Sequence, residues 1–462
     1  MTSEYEAMAR AAEAAIGYRR GVAEAETTPV ADYAAMIAAF EAPVPETGGD
    51  ADAIIAELIE KATPGIRAAT GPRFFGWVIG NSHATGVAAD WLTAAWGQNA
   101  ANLVSAPAAS AIEKVAADWL LDLLGLPREA SVGFVTGATV ANFVCLAAAR
   151  SEVLRRAGWD VEAEGMFGAP PLEVVIGADA HATVYSGLKY LGLGAKRVKI
   201  VESDASGRML ARDFERVVKS CTGPVIAIAQ AGQINTGACD PFAEIAPIAK
   251  EAGAWLHVDG AFGLWAQVAP GRAHLTAGVE AADSWATDGH KWLQTPYDSG
   301  FAIVRDTEAH RRAMAVSASY LPSAEGAERD PSAYVPELSR RARGFAAWAM
   351  IRQFGREGLA HLVECHCQIA RHMAERLADE AGVALVAPVE LNQFMVRFGG
   401  SDDATLATVK QVQDDAVAFI GGALWRGQWV MRVSVSSAAT TMAEADVTVD
   451  AVLSAWAKVR SR

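Results

Sequence analysis

The chain has 462 residues, of which 52% are apolar and only 20% charged, enough to build two or three domains around a large buried core. A net charge of −14 and a pI near 5.2 lack the basic footprint of a nucleic-acid binder and leave a small molecule as the expected partner. No uncharged apolar run approaches the roughly 18–20 residues of a membrane span, and the acidic start "MTSEYEAMAR" does not have the form of a signal peptide.

The first 70 residues predict helices broken by Pro- and Gly-containing loops such as "APVPETGGD". A central block then alternates short apolar strands with helices. "VGFVTG" precedes the helical "TVANFVCLAAARSEVLRRAG", "LEVVIGAD" precedes "ATVYSGLKYLGLG", and "KRVKIVE" precedes "LARDFERVVKS". "GPVIAIAQ" and "AWLHVDG" flank a helix at 241–252, and "DSWAT" is a further strand. Such strands, separated by amphipathic helices, predict a mostly parallel, doubly wound sheet. From about residue 346 a long helix leads into "QFMVRFG" and "QWVMRVSVSS", with helices between and after them, the pattern of a smaller α+β domain. The expected organisation is therefore an N-terminal helical segment over 1–76, a large domain over 77–345 and a small C-terminal domain over 346–462. The stretch at about 315–340 is aperiodic and rich in Ser, Pro, Ala and Gly, as functional or disordered loops are.

Five scattered cysteines, Cys145, Cys221, Cys239, Cys365 and Cys367, predict no disulfides and a reducing, cytoplasmic location. "ECHCQ" at 364–368 falls in a helical pattern, where positions two apart do not share a face, so no metal is expected there.

Three features carry chemistry. In "GFVTGATVANF" a strand ends at Gly137 and a helix opens at Ala138 or Thr139, offering free N–H groups and a favourable dipole to an anion. Taken alone it is equally an ordinary Thr-capped turn. It matches neither the dinucleotide fingerprint nor a Walker loop. In "WLHVDGAFG", Asp259 ends an apolar strand at the edge where open α/β sheets bind ligands, while Gly260 and Ala261 leave room for a flat molecule. A helix cap or a structural ion pair would also explain that aspartate. In "SWATDGHKWLQ", Lys291 lies among Gly289, Trp292 and Leu293, and desolvation there favours a nucleophilic amine. Amine, carboxylate and anion cradle together match pyridoxal 5'-phosphate. The lysine forms the Schiff base, the carboxylate holds the pyridine nitrogen protonated, and the helix start takes the phosphate with His290 in reach. His181, after the strand "LEVVI", reaches the same edge and can stack on a planar ring or transfer protons.

"HVDGAFG" followed by "DGHKW" resembles the signature of the group II pyridoxal-phosphate decarboxylases, the family of the aromatic-L-amino-acid, histidine and glutamate decarboxylases. "GPRFFGWVIGN", "AHATVYSGLKYLGLG", "QAGQINTGACDP", "LSRRARGF" and "MRVSVSS" have counterparts in the same order. The resemblance implies the fold-type-I, aspartate-aminotransferase-like architecture and a homodimer with active sites at the interface, the N-terminal segment wrapping over the partner. It makes Lys291 the Schiff-base lysine, Asp259 the pyridinium partner, His181 the stacking histidine and Ala261 the small residue on the opposite ring face. Gly137, Ala138 and Thr139 become the phosphate cradle, completed by His290 and Asp288. It also implies a loop tyrosine that acts in the neighbouring subunit, for which Tyr334 is the first choice and Tyr320 the reserve. Gln233 and Ile234 stand where the family often has two threonines, and "FGLWA" replaces the commoner Tyr-Gly-Gly.

The implied reaction is decarboxylation of an L-amino acid through the Lys291 Schiff base and a quinonoid intermediate, with Tyr334 or His181 returning a proton to Cα. Phe75, Trp77 and Phe262 are expected to line a pocket for an aromatic side chain, with no obvious basic residue awaiting a side-chain carboxylate. The alternative outcomes are oxidative deamination to an aldehyde or carbon–carbon lyase chemistry, with non-catalytic cofactor binding the remotest.

Overall fold

A computed structural model describes residues 2–316 and 329–462. Seven strands form the large sheet: β1 (Ser131–Val135), β2 (Glu173–Gly177), β3 (Lys199–Val201), β4 (Val225–Gln230), β5 (Trp255–Asp259), β6 (Ser284–Asp288) and β7 (Gly300–Val304). Their order is β1-β7-β6-β5-β4-β2-β3, and only β7 runs antiparallel to its neighbours. This is the fold-type-I sheet. β7 is not among the strands predicted from the sequence, its "GFAIV" being too short to show a period. Apolar clusters cover both faces of the sheet, one around Phe134, Trp265 and Trp285, the other around the helix Ala138–Arg156 with Trp255. Burial on both faces is why these strands read as continuous apolar runs.

Gly137, Asp259 and Lys291 follow the carboxyl ends of β1, β5 and β6, so the parallel order brings them to one edge of the sheet. The paired register sets Asp259 between Gln230 of β4 and Ala286 of β6.

A second sheet contains β8 (Val383–Leu385), β9 (Gln393–Phe398), β10 (Gly421–Trp425) and β11 (Gln428–Ser434), all antiparallel, in the order β10-β11-β9-β8. β11 alternates in a telling way. Met431, Val433 and Val435 enter the core of this second unit, while Arg432, Ser434 and Ser436 on the opposite face are also buried. The helix Gly344–Ala378 serves both units. Ala347, Met350 and Leu359 pack in the large core and Ile369, Met373 and Leu377 in the small one, and Gly355, at φ +61, interrupts the helix within the large-core part. The expected boundary at 346 therefore falls inside a shared helix.

Three fully buried histidines are held neutral. Burial lowers His257 and His310 to about 3 and His366 to about 4. His257 sits between Ser284 Oγ (2.9 Å) and Asn142 Oδ1 (2.8 Å), and His310 between Ser131 Oγ (2.8 Å) and the Tyr334 carbonyl (2.9 Å). Folding lowers these pKa values, so the stability they contribute is whole above the unfolded value of 6.5 and is lost as pH falls toward 4 and 3. Below pH 6.5 each costs about 1.4 kcal/mol per pH unit. Thermal denaturation at pH 7.5, 6 and 5 is expected to show a steepening fall of the midpoint, and a flat profile contradicts it.

Candidate active site

The lysine turn is fixed before any ligand is considered. Asp288, 3% exposed at the end of β6, accepts a hydrogen bond from the Ala138 N–H at 2.6 Å through Oδ1 and pairs with Lys291 Nζ at 3.1 Å through Oδ2. His290 Nε2 lies 3.6 Å from Oδ1 of the same carboxylate. Gly137 caps the helix Ala138–Arg156 with no side-chain cap, so the Thr-capped turn is excluded and the first N–H belongs to Asp288 instead. A Cβ at Gly137 would stand 3.2 Å from His290 Cε1 and 3.3 Å from Asp288 Oδ1. The helix start, His290 and Asp288 thus enclose one small space, bordered by the part-buried Thr139. His290 Nδ1 is buried there with no partner among the described residues.

Asp259 is 4% exposed, and burial raises its pKa against the pull of His181 and Lys291. Its nearest donor is the Ala261 N–H at 3.4 Å. A carboxylate so placed needs a further cationic partner to stay ionised. Ala261 is itself pinned, its carbonyl accepting from the Asp288 N–H at 3.0 Å. His181 caps the helix Ala182–Tyr190, Nδ1 accepting from the Thr183 N–H at 3.3 Å with Thr183 Oγ1 at 2.8 Å. That assignment leaves Nε2 as the free donor of the neutral ring. Burial lowers the His181 pKa, with Lys291 and Arg432 acting in the same direction and Asp259 opposing. Lys291 Nζ also stands 5.6 Å from the Phe262 ring centroid.

Two residues that the sequence reading passed over belong to this edge. Gln230 Oε1 accepts the His181 N–H at 3.1 Å and so sets the histidine's place. Arg432, 8% exposed, reaches across from β11. Its Nη1 donates to Asn235 Oδ1 at 3.1 Å, no carboxylate pairs with it among the described residues, and burial lowers its pKa to about 10. The signal was visible in "MRVSVSS": an arginine on the alternate face of a strand whose other face is apolar.

The expected pocket aromatics divide. Phe262 stays at the site. Phe75 is corrected: it is fully buried in the small core, and its backbone bonds Phe419 and Ser434 across the chain, so its ring faces no pocket. Trp77 is 52% exposed and packs on Phe419, ring centroids 4.9 Å apart. Tyr334 is not brought to Lys291 in this chain. It is 7% exposed, edge-on to His310 at 5.2 Å, with Arg329 over its ring at 4.6 Å. Tyr320 lies outside the described residues. Gln233 turns inward, its Oε1 accepting from the N–H groups of Asn235 (2.6 Å) and Thr236 (3.1 Å), and Ile234 packs on the large core. These departures from the family pattern shape the loop that carries Asn235.

One glycine is dictated by the lysine turn. Gly80, at φ +73, would place a Cβ 1.9 Å from the His290 carbonyl oxygen and 2.6 Å from Lys291 Cα. Trp77 and Val78, just before it, hold left-handed φ of 56° and 55°, a strained state for a β-branched residue. Gly80→Ala is expected to cost about 1–3 kcal/mol in backbone strain alone and to weaken cofactor affinity at least about tenfold, a 1.4 kcal/mol change. Fluorescence titration of the cofactor checks this, and unchanged affinity contradicts it.

An anion-ready helix start with an unpartnered imidazole nitrogen, a buried acid lacking a cation and a held amine fit a phosphorylated pyridine aldehyde. The fold and this edge define a pyridoxal-phosphate enzyme. The profile described as "Pyridoxal-dependent decarboxylase conserved domain" matches residues 34–398. The chain belongs to that family and is a pyridoxal-phosphate-dependent amino-acid decarboxylase. Similar proteins include an aromatic-L-amino-acid decarboxylase of Bacillus atrophaeus, 26% identical over 81% of this chain and 77% of the relative. A 4-hydroxyphenylacetaldehyde synthase of Rhodiola rosea is also 26% identical, over 86% and 83%. The crystal structure of Oryza sativa TDC with PLP and tryptamine superimposes with a TM-score of 0.91 at 22% identity, covering 98% of this chain and 97% of that one.

Proposed function

We propose that this enzyme decarboxylates an L-amino acid with an aromatic side chain to the corresponding amine. The observation that carries the reading is the meeting of Lys291, Asp259 and the neutral His181 at one sheet edge, with Phe262 beside the amine. Relatives named for aromatic amino acids point the same way. Pyridoxal phosphate, when bound, supplies an electron sink for the bond that loses CO2. In this reading Lys291 would be the residue that holds the cofactor through its amine. Asp259 would pair with the ring nitrogen, whose positive charge would offset the cost of the carboxylate's burial. His181 would stack on the ring and Ala261 would leave the opposite face clear, while the helix start at Gly137–Thr139 and His290 would hold the phosphate, with Asp288 fixing that turn through the Ala138 N–H. Arg432 and the free His181 Nε2 stand where the substrate's α-carboxylate could be oriented. Since Tyr334 is packed against His310, His181 is the better-placed proton donor within the chain.

The enzyme acts as a homodimer in this proposal. The helices Tyr33–Phe40 and Ala51–Ala62 have no buried residue, and Tyr33, Ile37, Phe40, Ile54 and Leu58 present apolar surface. A solution mass of two chains is expected by light scattering.

Incubation of the holoenzyme with a panel of L-amino acids tests the reaction. Equal amounts of CO2 and aromatic amine are expected. Aldehyde, hydrogen peroxide and ammonia instead of amine would overturn it in favour of oxidative deamination, and release of CO2 only from acidic amino acids would overturn the substrate class.

A further inference from the structure

A cavity with a polar end lies outside the catalytic reading. It measures about 670 Å³, within the range of small-molecule sites. It lies between the N-terminal helix, residues 81–83, the long helix and the start of the C-terminal helix. Its lining is two-sided. Arg19, Ser82 and His83 make one end, while the long helix contributes the apolar Phe354, Leu362 and Ile369 interspersed with His361, Cys365 and Gln368. In a chain of net charge −14, no aspartate or glutamate lines this cavity among the described residues.

Arg19 is the cation of the polar end and has no carboxylate partner among the described residues. Its guanidinium donates to the Ser82 carbonyl at 2.5 Å and to Ser82 Oγ at 3.4 Å. These neutral acceptors leave its charge uncompensated in a half-buried position. His83 accepts the Thr85 N–H at 3.2 Å through Nδ1 and sits edge-on to Phe354 at 5.5 Å, leaving Nε2 as a donor beside Arg19.

Two further lining residues join this cavity to the catalytic turn. Gln294 Nε2 donates to the Lys291 carbonyl at 2.7 Å and to the Ser436 carbonyl at 2.8 Å, while its Oε1 accepts the Ala438 N–H at 3.0 Å. His366 Nδ1 accepts from Trp292 Nε1 at 2.9 Å, and its Nε2 donates to the Ser437 carbonyl at 3.0 Å. Lys291 and Trp292 are thus tied from behind to groups on the cavity wall.

We propose that this cavity is a second binding site, for an organic monocarboxylate with an aromatic or branched aliphatic body, and that its occupant acts on the Lys291 turn through Gln294 and His366. One guanidinium with a neighbouring histidine suits a single carboxylate. Phe354, Leu362 and Ile369 suit a hydrocarbon body, and a single guanidinium among the described lining residues disfavours a multiply charged phosphate. An acid without an α-amino group cannot engage the cofactor as a substrate does, so occupancy here is separable from turnover.

The probe is 3-phenylpropionate, titrated calorimetrically into the holoenzyme. Saturable binding is expected, with affinity falling at least about tenfold in Arg19→Met and partly restored in Arg19→Lys. Both variants are expected to keep kcat/KM without the probe, since the contacts of Arg19 are with Ser82 and not with a residue of the catalytic edge. The probe is expected to change turnover without competing with substrate, and Arg19→Met removes that change. The proposal is overturned by absence of saturable binding, by binding that Arg19→Met leaves intact, or by simple competition with the amino acid. Because binding is measured directly, failure here does not depend on which product the enzyme forms.

Discussion

Lys291→Ala is expected to reduce turnover by at least about a thousandfold, since it removes both the covalent anchor of the cofactor and an amine able to move protons. The absorption band of lysine-bound cofactor disappears with it. The fold survives: Nζ makes one ion pair, with Asp288 at 3.1 Å, and that carboxylate keeps the Ala138 N–H. The thermal midpoint of the cofactor-stripped variant is therefore expected to stay close to wild type, and Lys291→Arg restores the charge but not the activity. Retention of more than a few per cent of turnover by Lys291→Ala removes the lysine from the chemistry.

Asp259→Asn separates function from stability in the opposite direction. The amide matches the carboxylate in shape but cannot balance a protonated ring nitrogen, and a fall in kcat of at least about a hundredfold is expected. Stability of the cofactor-stripped protein is expected to hold or rise, because a buried acid without a cation is replaced by a neutral group. Folding raises this acid's pKa above its ordinary 3.8. Its contribution is thus whole below that value and is lost as pH climbs through the raised one. The advantage of Asp259→Asn should accordingly grow with pH from acid to neutral in thermal denaturation. A variant that loses stability and activity together, at every pH, marks Asp259 as a structural residue.

The parallel sheet and its ligand edge were legible because they rest on local signals: apolar runs of fixed length, each followed by a small or polar residue. Asp259 and Lys291 stand at such ends, so their convergence followed from topology alone. Phe75 shows where that logic stops. Neighbouring residues of an extended segment face opposite ways, and sequence does not say which of Phe74, Phe75 and Trp77 meets the core. The alternate-face position of Arg432 is legible in "MRVSVSS", but its meeting with His181 is not. It comes from a different sheet about 140 residues beyond Lys291, and only the packing of the two units brings it beside His181. Tyr334 is pointed to by the family resemblance, through its place in the aperiodic stretch. Its burial depends on His310 and Arg329, which no local pattern connects to it.

The two-sided burial of β11 has a consequence for how this enzyme tolerates drift. Met431 and Val433 hold the small core, while Arg432 between them points at the catalytic edge. A methyl group lost from that core would tilt the strand and shift the guanidinium with it. Substitutions there, remote from any ligand, should first appear as altered substrate affinity and only later as unfolding. The strand is a lever whose fulcrum is hydrophobic packing.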